Sequence, residues 1–83
     1  MKPRSRWRWV KTGDFWTYPS KLFSIQLYFS KEEKRFEGGI WPRHAPSNRV
    51  LFIESEHGLE VKHLLEIGAK ALTIIWSKRL ENI

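Results

Sequence analysis

The residues best equipped for chemistry are the arginines and tryptophans that alternate at Arg6, Trp7, Arg8 and Trp9. A guanidinium offers phosphate a charge and a forked donor set, and an indole offers a flat face for a base to stack on. Arg4, Lys11, Lys31, Lys34, Arg35, Arg43 and Arg49 enlarge the basic set, and Trp16, Tyr18 and Trp41 enlarge the stacking set. Single-strand binders combine these parts on an aromatic sheet edged by basic loops. On a strand, however, the alternation puts Trp7 and Trp9 on one face and Arg6 and Arg8 on the other. A short chain needs its large aromatics inside, so Trp7 and Trp9 are expected in the core. The alternative makes them the binding surface. A phosphate contact by the arginines survives either arrangement.

Other chemistries find little material. There is no cysteine, hence no thiol nucleophile, no thiolate ligand and no disulfide. Glycine-rich phosphate loops, nucleophile elbows and Cys/His metal spacings are missing. His57, Glu60 and His63 fall near one another on a helix, but they form an incomplete metal set, and surface histidines are the expected reading. Glu54 and Glu56 share a strand face without a positioned His or Lys, as solvated charges would. A non-enzymatic protein without cofactor or metal is expected. No RNA-recognition fingerprint, zinc finger, basic zipper or helix-turn-helix is visible. Trp/Arg alternation also occurs in peptides that settle on anionic membranes. Here it opens a chain with the means to build a core.

The net charge of +6 is unevenly spread. Residues 1–50 hold eleven Lys/Arg against four acids, and residues 51–83 hold four against five. One electropositive side facing nucleic acid or an acidic protein would produce that split, as would a sheet with a basic solvent face. The basic start is not followed by an apolar targeting segment, and the nearly apolar run at residues 71–76 is far too short to span a bilayer. A cytoplasmic protein is expected.

The elements that must position these residues follow from periodicity. At 83 residues the chain is one domain close to the lower size limit for a self-sufficient core. Residues 1–5 read as a flexible basic arm and residues 6–83 as a single α+β domain. Residues 6–10 and 15–18 form a hairpin around Thr12, Gly13 and Asp14. Residues 22–29 make the clearest strand, with Phe23, Ile25, Leu27 and Phe29 on one face and Ser24, Gln26 and Tyr28 on the other. Residues 35–41 continue the sheet, with Gly38 and Gly39 marking a bulge, a turn or a close backbone approach. Residues 42–48 read as a loop suited to function, and the apolar run at residues 50–54 as a central strand. The sheet is therefore mostly antiparallel with about four strands, packed on one long C-terminal helix.

That helix, residues 59–80, carries the strongest signal. Val61, Leu64, Leu65, Gly68, Ala71, Leu72, Ile75 and Trp76 fall in one arc of roughly 140°, the expected buried stripe. A strand over residues 59–62 followed by a helix from His63 is the alternative. Ile67 and Ile74 lie outside the stripe, a heptad apart, and are expected to form a self-association or partner surface, with scattered surface apolars as the alternative.

Two functions fit. The first is a nucleic-acid binder of low sequence specificity, holding the phosphate backbone with its basic sheet edge and loops. The second is an inhibitor or adaptor that sets the same basic face against an acidic protein and pairs through Ile67 and Ile74. Small size, missing cysteines and heavy aromatic content are compositionally like regulatory proteins of phages and mobile elements, without matching a particular family.

Overall fold

The computed structural model describes residues 8–81. The arm at residues 1–5, with Arg4, and also Arg6 and Trp7 lie outside the described residues. Five strands precede one helix: β1 (Val10–Thr12), β2 (Phe15–Tyr18), β3 (Phe23–Ser30), β4 (Arg35–Pro42), β5 (Leu51–Ser55) and α1 (Gly58–Glu81). The sheet is an antiparallel meander in the order β1-β2-β3-β4-β5, and α1 crosses β3, β4 and β5. The expected α+β class holds, with five strands in place of about four.

The first hairpin closes where the turn residues lie. Thr12 pairs with Phe15 around Gly13, whose φ of 63° meets the demand of a tight two-residue loop for a left-handed first position. The first strand starts later than its alternation suggests, at Val10 rather than Arg6. Pro19 ends β2 just past Tyr18 and has no N–H to extend the ladder. Trp9, just before β1, is buried on the helix side of the sheet, between Tyr18 and α1.

The core lies between α1 and the facing side of the sheet. Phe23, Ile25 and Ile40 are fully buried from the sheet, and Val61 and Leu65 from the helix. Gly38 allows that contact, because a Cβ there would collide with Leu65 and stand 3.0 Å from Val61 Cγ1. Of the three readings of the glycine pair, close approach is the one that applies; the β3–β4 register runs unbroken from Phe23↔Pro42 to Ser30↔Arg35. Trp76 closes the far end edge-on against Phe23, with centroids 5.8 Å apart.

The helix starts at Gly58, so no extra strand precedes it. Its buried stripe is nevertheless rotated. Val61, Leu65, Ala69, Leu72 and Trp76 face the core, whereas Leu64, Ala71 and Ile75 are exposed. The arc is narrower than expected and turned by roughly 40° toward Ala69. Gly38 seats Val61 and Leu65 deeply, and Trp9 bonds Glu66 on the same flank, so that side of the helix is drawn inward.

β5 also departs from expectation. It is an edge strand rather than a central one: β4 is its sole partner among the described strands. Leu51 and Ile53 face the helix, while Phe52 and Glu54 point to the opposite side. Phe29 shares the parity of the core face but lies beyond the helix, 47% exposed and edge-on to Phe36.

Candidate functional site

Strand register assigns every side chain to one of two sheet faces. The face away from α1 carries Phe15 and Thr17 from β2, Ser24, Gln26 and Tyr28 from β3, Arg35, Glu37, Gly39 and Trp41 from β4, and Phe52 and Glu54 from β5. None of these residues is fully buried except Gly39. The result is a polar floor of Ser, Thr and Gln in which four aromatic rings stand.

The two ends of this floor differ electrostatically. Toward the β3–β4 loop, Arg35 pairs with Glu33 at 3.2 Å and with Glu54 at 3.3 Å, and Glu37 lies opposite Glu54. Burial pushes the Tyr28 phenol above its ordinary value, and its hydrogen bond with Glu37 and that carboxylate's charge push it further. Arg49 opposes the shift, so its positive charge acts across this face. Three carboxylates against one guanidinium leave this end net acidic.

The other end is aromatic and cationic. The Arg49 guanidinium lies 4.1 Å from the centroid of the Phe52 ring. A Cβ on Gly39 would come within 2.6 Å of Trp41 Cη2 and 3.1 Å of Arg49 Cδ. Gly39 thus leaves the space in which the Trp41 ring and the stem of Arg49 lie over the backbone, next to Phe52, its cross-strand partner. The arrangement is a shallow platform: two rings, one cation, and Ser24 and Gln26 as hydrogen-bonding groups from the neighbouring strand.

The remaining basic residues stand apart from it. Lys31 and Lys34 are exposed in the β3–β4 loop beside the acidic end. Lys11 lies 5.0 Å from the Trp16 ring centroid, and Arg8 is exposed beside Trp9. Arg43 donates from Nε and Nη2 to the Ser20 carbonyl at 3.1 and 3.0 Å, which anchors the loop after β4 to the one after β2. The basic residues among those described therefore form separate groups instead of a single strip.

The aromatic candidates divide as well. Trp41 is on the open face. Trp16 and Tyr18 are on the helix face, half-buried against the core, with Tyr18 5.2 Å from Trp9. Phe52 was hidden from sequence reasoning inside an apolar run. The Glu54 that follows it in alternation was the available sign that this parity faces solvent. Among the described residues no three His, Cys, Asp or Glu side chains gather in a way that could hold a metal ion, and no helix is long and apolar enough to cross a membrane.

Comparison with protein-family models, curated proteins and solved structures finds no match to this chain.

Proposed function

We propose that this protein is a non-enzymatic binding module for single-stranded nucleic acid, with little sequence specificity, acting in the cytoplasm. The observation that carries the reading is the meeting of Trp41, Phe52 and Arg49 over Gly39 on the open sheet face. Rings on a sheet accept any base by stacking, worth about 1–3 kcal/mol per base, and a guanidinium beside them neutralises the phosphate. Arg43 and Lys21 are exposed in the loops at the same end of the sheet, outside the platform itself, and the Arg35 end, where carboxylates outnumber the guanidinium, offers the backbone less.

Titration of tryptophan fluorescence with oligo-dT and oligo-rU at several salt concentrations tests this. Contact with about three phosphates predicts a log–log salt slope of roughly −2 for single strands. Trp41→Ala should weaken binding at least about five-fold, the lower end of a lost stacking contact. Absence of binding with micromolar protein in about 50 mM salt would sink the proposal.

The separation of the basic residues into groups favours a second reading, in which the same face docks on an acidic protein. Stacking distinguishes the two. An abasic oligonucleotide of equal charge should bind clearly more weakly than its base-bearing counterpart if nucleic acid is the target, and equally well if charge is all that is read.

A further inference from the structure

The outer surface of α1 carries an apolar ridge that the core does not use. Leu64 is 42%, Ile67 52% and Ile74 58% exposed, and Ala71 between them is exposed too. Their spacing alternates three and four, the seam of a two-helix contact. Continued in both directions, the same seam reaches exposed Glu60 in the first turn and exposed Lys78 in the last. The ridge is therefore apolar in the middle, acidic at one end and basic at the other.

We infer that this ridge pairs with the same ridge of a second copy, the helices running antiparallel about a two-fold axis that passes between Ile67 and Ala71 on the outer face. In that register Glu60 faces the partner's Lys78, Leu64 faces the partner's Ile74, and Ile67 faces the partner's Ala71. All three pairs share one midpoint, so a single rotation satisfies them together, as a self-complementary interface requires. Large residues meet small ones at the centre, which lets the helices approach closely. A parallel pairing would set Glu60 against Glu60 and Lys78 against Lys78, so charge selects the antiparallel one.

Size sets the strength. Half-exposed side chains on this ridge leave on the order of 300 Å² of apolar surface per copy, in the range of the largest patch on a typical small protein. Twice that area is below the roughly 1,200 Å² of stable complexes, so the dimer is weak and reversible. Its two open sheet faces point away from each other. The pairing does not depend on what those faces bind.

Sedimentation or light scattering over about 1–200 µM protein tests it, a range that brackets a micromolar dissociation constant. The average mass should rise from 10.0 kDa toward twice that value. Ile67→Glu, and separately Ile67→Ser, should weaken association about ten-fold or more with circular dichroism unchanged, since the site is exposed. Glu60→Lys and Lys78→Glu should each weaken it several-fold, and the two together should restore it, because the charges then meet in reverse. A wild type that stays monomeric throughout overturns the inference and leaves the ridge to another occupant. A dimer indifferent to both Ile67 variants also overturns it, as does a double charge swap no better than either single change.

Discussion

The indole N–H of Trp9 donates to Glu66 Oε2 at 2.7 Å, joining the start of the sheet to the middle of the helix across 57 positions of sequence. The same oxygen lies 2.8 Å from Lys62 Nζ, one turn earlier on α1. One carboxylate thus holds both the segment before β1 and its own helix neighbour. β1 has only three residues and, among the described strands, one partner, so this anchor matters to how firmly the first hairpin stays on the domain.

Trp9→Phe removes the donor, worth about 1.5 kcal/mol as a hydrogen bond to a charged group, and also leaves part of the buried indole site unfilled, which adds to the cost. The melting temperature is then expected to fall by at least roughly 6–12 °C in a domain of this size. Thermal unfolding followed by circular dichroism measures it. A change within 1–2 °C would show that the bond contributes nothing net.

The same carboxylate predicts a pH dependence. Burial alone would raise the Glu66 value, but the hydrogen bonds from Lys62 and Trp9, with the charges of Lys62 and His63, hold it below the ordinary 4.5. A value lower in the folded than in the unfolded chain gives stability that is fully present above the ordinary carboxylate value. It is lost as the pH falls through the folded value. Wild type should therefore exceed Glu66→Gln in stability at pH 7, and the gap should close as the pH drops below 4.5. Urea unfolding of both proteins at a series of pH values checks the sign.

Gly38 and Gly39 are adjacent but should respond differently to alanine. At Gly38 the new methyl meets Leu65, Val61 and the Gln26 carbonyl inside the core. About 1–3 kcal/mol of destabilisation is expected from such overpacking. At Gly39 the methyl meets the tip of the Trp41 ring and the stem of Arg49, both free to move outward. Gly39→Ala should keep most of the stability and weaken oligonucleotide binding, because the platform is disturbed. Equal loss of stability at both positions would contradict this division.

Lys34 sits at a φ of 57°, left-handed, where its amide donates to the Ser30 carbonyl at 2.7 Å to close the β3–β4 loop. A residue with a Cβ pays about 1 kcal/mol in that conformation. Lys34→Gly should recover part of it, with a net gain of a few tenths to about 1 kcal/mol, since glycine also loosens the unfolded chain. Denaturant melts measure the gain.

Local sequence determined a good deal of this protein. Strict alternation over Phe23, Ile25 and Leu27 assigned both faces of β3, Gly13 marked the first turn, and the apolar period from Val61 onward set the helix and its start. Each is a short-range effect, a matter of which side chains share a face or which residue tolerates a turn. Charge and the exposed Ile67 and Ile74 were equally legible, because they depend on composition and helical phase.

Tertiary structure decided what depends on distance. Trp9 could be foreseen as buried, but not that its N–H would reach Glu66, since the partner is chosen by how the helix lies on the sheet. The roll of α1, which exposes Leu64, Ala71 and Ile75, came from the depth Gly38 allows beneath Leu65. The shared signal of Trp16, Tyr18 and Trp41 was separated by strand parity and register, which turn two rings toward the helix and one toward solvent. Phe52 joined Trp41 and Arg49 because β5 is an edge strand beside Gly39, a relation set by strand order, which no local pattern encodes.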